Sequence, residues 1–277
     1  MPAATTDLTP VLAAVTALEN AARYGEALAL VDSTLVTDDA DRLALLMARA
    51  SVVARRDYAR GVPSGDDHPL DAAHELAAAI GTGPTTSWDL AMLHLRRQYA
   101  DQLVSGIGPA GRDPQVVARM ATEAARLRDT APDDGRRGWA LMCQGWISDN
   151  LRGDRLEAPD HYAAALALAR RVDDPLLVFE AQRHLGDHAH DDGDPVGARE
   201  RWEESTAAGG RARHIGGTLA QQLLLAVLHR DEGDEAGARA IATEVLRWAD
   251  AIGAAGAARQ AEAFLAGVDP TRPPEED

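Results

Sequence analysis

Glu180, His184, His188 and Asp191 follow one another at steps of four, four and three residues. On an α-helix those steps place the four side chains along one face. Two histidines at i and i+4 can share a divalent metal, with a carboxylate as third ligand. Asp187 and His190 stand beside them in the sequence. Such a set would suit a metal-dependent hydrolase or a metal-binding protein centred on His184 and His188. The competing reading is plainer: these are ordinary positions of a partly exposed helix running into the acidic turn Asp191-Asp192-Gly193-Asp194. No catalytic constellation is complete, so no catalytic residue and no cofactor is assigned, and a bound metal is not the expectation.

Other chemistry is excluded by composition. The chain contains no lysine; its 28 basic side chains are all arginine. That removes the usual phosphate-binding P-loop, a pyridoxal Schiff base and a lysine nucleophile. Gly106-Ile-Gly-Pro-Ala-Gly111 fits G-x-G-x-x-G, but it follows helical sequence instead of a strand and carries Pro109, so it reads as a loop without a nucleotide. The single cysteine, Cys143, rules out an intramolecular disulfide and lies in an apolar run, as a buried structural thiol does. Net charge is −16, from 44 acidic and 28 basic residues. That charge repels nucleic acid and anionic lipid, so neither is an expected partner. No secretory leader and no continuous apolar stretch of spanning length is found, and a cytoplasmic location is expected.

The elements that must carry these residues are helices. Hydrophobic residues recur at helical spacing between clusters of Gly, Pro and Asp, with no alternating strand pattern. The predicted pairs are 9–22 with 25–36, 40–58 with 69–80, 87–105 with 114–130, 134–151 with 159–172, 175–191 with 195–208, and 218–231 with 235–252. A closing helix over 257–266 precedes a Pro-rich acidic tail, 268–277, expected to be disordered. Asp113-Pro114 and Asp194-Pro195 place a capping carboxylate before a proline at the first helical position. Ser87 is read as the hydroxyl cap of its helix. The first hairpin is apolar at Val11, Leu12, Val15 and Leu18, which suggests an end-to-end homodimer.

Gly-Asp recurs at 153–154, 193–194 and 233–234, 40 residues apart each time. Residues 191–199 and 231–239 are identical at six of nine positions. A fixed period of this size marks helical hairpins that bury their apolar faces against their neighbours. Within the fifth pair, Leu185-Gly186, Gly193-Asp194, Ala198 and Trp202 are spaced as in a tetratricopeptide repeat, and the segment 179–252 resembles that family. The sixth pair keeps Leu225, Ala226, Gly233-Asp234 and Ala238 but has Ala242 where the family carries an aromatic.

The resemblance implies an all-α, right-handed α-solenoid of about six hairpins, a single domain over 1–267, and an interaction scaffold without catalytic activity. In that family the first helices of successive hairpins line a concave groove that binds peptides or proteins. Carried over by position, the groove residues are Glu180, Arg183, Asp187, His190 and Asp191 in the fifth hairpin, with Ala220, Leu223, Val227, Arg230 and Asp231 in the sixth. This mixture of carboxylates and an apolar strip favours a basic or amphipathic peptide or protein. The alternatives are the metal reading above and a groove that senses a small molecule.

Overall fold

Proline and aspartate do most of the cutting. A computed structural model describes residues 7–62 and 69–271, which form thirteen α-helices and no strand. They are α1 (Thr9–Asn20), α2 (Tyr24–Ser33), α3 (Asp39–Arg60), α4 (Pro69–Ile80), α5 (Pro84–Val104), α6 (Pro114–Asp129), α7 (Asp134–Trp146), α8 (Ala158–Val172), α9 (Pro175–Asp191), α10 (Pro195–Arg211), α11 (Ile215–Asp231), α12 (Glu235–Ile252) and α13 (Ala255–Leu265). The chain divides into two compact units, Met1–Asp154 and Arg155–Asp277. Within each unit, helices pack chiefly on their sequence neighbours. Among the described residues no helix is long and apolar enough to cross a membrane. The expected disorder of the tail falls on residues outside the described range from 272 onward.

The turns of the second unit repeat every 20 residues. Asp173, Gly193, Arg213, Gly233 and Gly253 all have positive φ, between 54° and 83°. In each case the next residue's N–H closes a six-residue ring onto a helical carbonyl. These bonds are Asp174 to Ala169, Asp194 to Ala189, His214 to Gly209, Asp234 to His229 and Ala254 to Ala249, at 2.8–3.0 Å. This is the Schellman closure, which satisfies carbonyls left over at a helix end.

Asp174, Asp194 and Asp234 then serve the following helix, their carboxylates accepting from backbone N–H groups one turn on. At Asp234 the Gly237 N–H, helped by His229, holds the carboxyl below its ordinary range. A Cβ at Gly197 or Gly237 would meet the capping carboxylate, which would have to shift to accommodate it. Asp174 accepts from Leu176 and Leu177, each at 3.0 Å. Asp174→Ala is expected to cost about 0.5–2 kcal/mol, seen as faster native-state amide exchange in the second unit than in the wild type.

Three local expectations are corrected. α5 starts at Pro84 behind Gly83, one turn before Ser87, because proline supplies helical φ at once. Ser87 is therefore no cap; its hydroxyl meets Thr82 Oγ1 at 2.7 Å. The helix expected over 134–151 stops being α-helical at Trp146 and continues as a π-helix, Ile147–Arg152. Part of the G-x-G-x-x-G loop, Pro109–Gly111, is a short 3-10 turn.

Each unit has its own core. In the first, Leu70, Leu95, Leu127, Met142, Ile147 and Leu151 are fully buried, and Trp88 Nε1 donates to Leu127 O at 2.8 Å. Val11, Leu12 and Leu18 are half-buried against Val15, Ala27 and Val31 of their own hairpin. In the second, Tyr162, Leu177, Phe179, Trp202, Leu223 and Phe264 fill the interior.

Candidate functional site

The side chains singled out in the sequence lie on α9 and α11 of the second unit, and their positions follow from one close contact. A Cβ on Gly186 would overlap the Trp202 ring, so glycine lets α10 press its tryptophan flat on α9. Trp202 is wholly buried, and its Nε1 is shared between Arg183 O at 3.2 Å and Asp187 Oδ1 at 3.0 Å. Asp187, expected to face a partner, is thus engaged in holding the hairpin together.

The histidines are drawn into ring packing. His184 stacks on buried Tyr162, centroids 4.8 Å apart and planes 17° apart, with Nδ1 3.8 Å from Asp187 Oδ2. His188 is 6% exposed, tilts against the same tyrosine, and has Arg155 Nη2 at 3.3 Å from its Nδ1. The other arm of that guanidinium pairs with Asp191 Oδ2 at 2.7 Å. A cation therefore stands between His188 and Asp191, where a shared metal would need both to be electron-pair donors. Among the described residues no group of three or more His, Cys, Asp or Glu side chains is placed to hold a metal ion. Glu180, His184, His188 and Asp191 share a helix face, but they do not form a metal centre.

His190 joins the two hairpins. Its Nε2 lies 2.9 Å from Asp231 Oδ2 and its ring 5.4 Å from Trp202. Ionised, Asp231 can only accept, so Nε2 carries the hydrogen. Nδ1 is buried, and Asp191 Oδ1 at 3.6 Å is too far for a hydrogen bond.

The apolar strip is a correction. Leu223 and Val227 are each 1% exposed, packed with Ala238, Ala242, Val245, Ala261 and Phe264. The closing helix α13 covers the side of α11 that the hairpin pattern left open. Arg230 is held there too: its guanidinium lies 3.7 Å over the Phe264 ring, donates to Phe264 O at 3.1 Å, and meets Glu235 at 3.2 Å. What remains partly exposed is Glu180, Arg183, Asp187, His190, Asp191, Ala220, Arg230 and Asp231.

Two features of this face escaped the sequence. Arg155 is one; it sits in an irregular stretch after the Gly153-Asp154 turn, where no periodicity assigns it a direction. The other is a polar seam from α8 to α10. Buried Gln182 donates to Glu204 and accepts from Arg201 Nη1 at 3.1 Å, while Arg170 clasps Glu204 at 2.7 and 2.9 Å. Compared with models of known protein families and with curated proteins, the chain matches none.

Proposed function

We propose that the chain is a tetratricopeptide-like right-handed solenoid that binds a peptide or protein segment without catalysing a reaction. The observation that carries this reading is the identity of the α9–α10 and α11–α12 turns at 40-residue spacing: Gly193 and Gly233 at φ 78° and 83°, Asp194 and Asp234 capping at 2.9 Å, and Ala198 and Ala238 fully buried. A hairpin repeated this closely presents equivalent first-helix faces at regular intervals, which suits an extended ligand. The binding face runs along Glu180, Arg183, His190, Asp191 and Asp231. With Leu223 and Val227 in the core, recognition is mainly electrostatic. Asp191 and Asp231 side chains are 38% and 43% exposed and meet Arg155 and His190. A basic segment would compete with those two internal partners for the carboxylates. A reducing compartment accords with Cys143, which is buried beside Met92 with sulfurs 3.7 Å apart.

The test is an array of basic, acidic and apolar peptides probed with the wild type and with the double variant Asp191→Arg, Asp231→Arg. Both substitutions also remove the pairs to Arg155 and His190, so a circular dichroism melt of the variant establishes that it is folded before the two proteins' binding is compared. Basic peptides should be retained by the wild type, lost from the variant, and weakened by salt, since exposed charges are screened over roughly 10 Å at 0.1 M. Basic peptides bound equally by both proteins, or by neither, would refute this face as the site.

A further inference from the structure

In the first unit a cleft of about 690 Å³ opens between α4, α5 and α6. Asp71, His74 and Glu75 line it from α4, His94 from α5, and Arg119 and Glu123 from α6. The two imidazoles meet edge to face, centroids 5.7 Å apart and planes at 85°. His74 Nδ1 sits 2.9 Å from Leu70 O, a carbonyl that can only accept. Nδ1 therefore carries a hydrogen.

With both rings neutral, three carboxylates face one guanidinium in the cleft lining, a negative excess. Nearby pairs adjust the field without cancelling it. Glu123 is bound by Arg126 at 2.6 and 2.8 Å, and Arg97 stands 3.7 Å from Asp71 and 3.9 Å from Asp101. A first proton is tolerated, because an imidazolium edge on a neutral ring is a cation–π contact. A second puts two like charges edge to face at the same site, and the protons must enter in separated steps.

We propose that this cleft is a proton-operated electrostatic switch: as the pH falls through the imidazole range, His74 and His94 take up protons one after the other, cancel the negative excess of the lining, and come to repel each other across the α4–α5 contact. The direction of titration at His94 agrees. Although more than a third of the residue is exposed, burial by the surrounding protein, then His74, then Arg97 hold its imidazole below the usual value, against the pull of Asp71 and Glu123. A base held below its ordinary value binds protons more weakly in the folded chain than in the unfolded one. Stability is then complete above the free-imidazole range and declines as the pH drops through it.

Imidazole carbon resonances followed through a pH titration of the full chain test this, with His74→Gln and His94→Gln beside the wild type. The midpoint of His94 is expected below the free value of 6.5 and should rise in His74→Gln. Asp71→Asn, which removes a carboxylate that raises the His94 midpoint, should lower it further, so this variant serves if His74→Gln folds poorly. Between about pH 7.5 and about pH 5.5, a window spanning the imidazole range, the melting temperature should fall further for the wild type than for either histidine variant. A His94 midpoint at or above the free value, or one unmoved by removing its neighbour, overturns the switch.

Discussion

Trp202→Ala is expected to remove about 3–5 kcal/mol of stability, the range for deleting a fully buried aromatic. The ring has no exposed surface and rests on Gly186, between Ala198, Leu224 and Leu228. Glycine at 186 offers no side chain to refill the space. Asp187 and the Arg183 carbonyl would also lose their shared donor. With two compact units in the chain, one global transition does not show which of them has lost stability. Native-state amide exchange is the right one: protection should collapse in α9 and α10 while that of the first unit stays. Trp202→Phe separates the causes, restoring most of the volume but not the N–H, at an expected cost of about 0.5–1.5 kcal/mol for the lost hydrogen bond. A loss under about 1 kcal/mol in Trp202→Ala would mean that the hairpin does not depend on this contact.

Phe264→Ala should cost a similar 3–5 kcal/mol at its own site, with a different outcome. Phe264 is fully buried on the last helix, against Leu223 and Val227, under the guanidinium of Arg230. A helix whose other buried side chains are alanines can detach without taking its neighbours once its large one is lost, since the lowest free-energy opening is local. Amides of α13 should then exchange near the unfolded rate, while α9 and α10 keep their protection. The exposed side of α11 should bind a hydrophobic dye. Equal loss of protection throughout the second unit would show instead that α13 folds as an inseparable part of it.

How far the fold could be read from sequence depended on glycine. Gly153, Gly193 and Gly233 advertise positive φ, so the 40-residue spacing was legible. The half-period was hidden, because the intervening turns use Asp173 and Arg213 in the same left-handed conformation, at φ 54° and 55°. The repeat spacing singles out Gly186 and Trp202 separately, and their contact within one hairpin is seen only in the structure. The face of α11 could not be read this way. Leu223 and Val227 occupy open positions within a hairpin, and only α13, folding back from later in the chain, decides that they are core. Nor does helical spacing reveal which carboxylates are already engaged: Asp187 by Trp202, Asp191 by Arg155, Asp231 by His190.

The double duty of residues such as Asp194 has a consequence for where the chain can absorb a change in length. One residue closes the helix behind it and caps the helix ahead, so the turn has no slack. α7 shows the alternative. From the capping Asp133 to the left-handed Gly153 is one residue more than from Asp174 to Gly193 or from Asp194 to Arg213. The surplus is taken up in the π-helix Ile147–Arg152, where the closing bond runs from Asp154 N to Ser148 O at 2.8 Å and spans one residue more than its counterparts. An added residue in an α-helix would rotate all that follows by about 100°. A widened turn takes up the extra residue on the spot, and the helix still ends on a left-handed glycine. The extra residue of this turn is therefore held inside the helix and not in the connection that follows it.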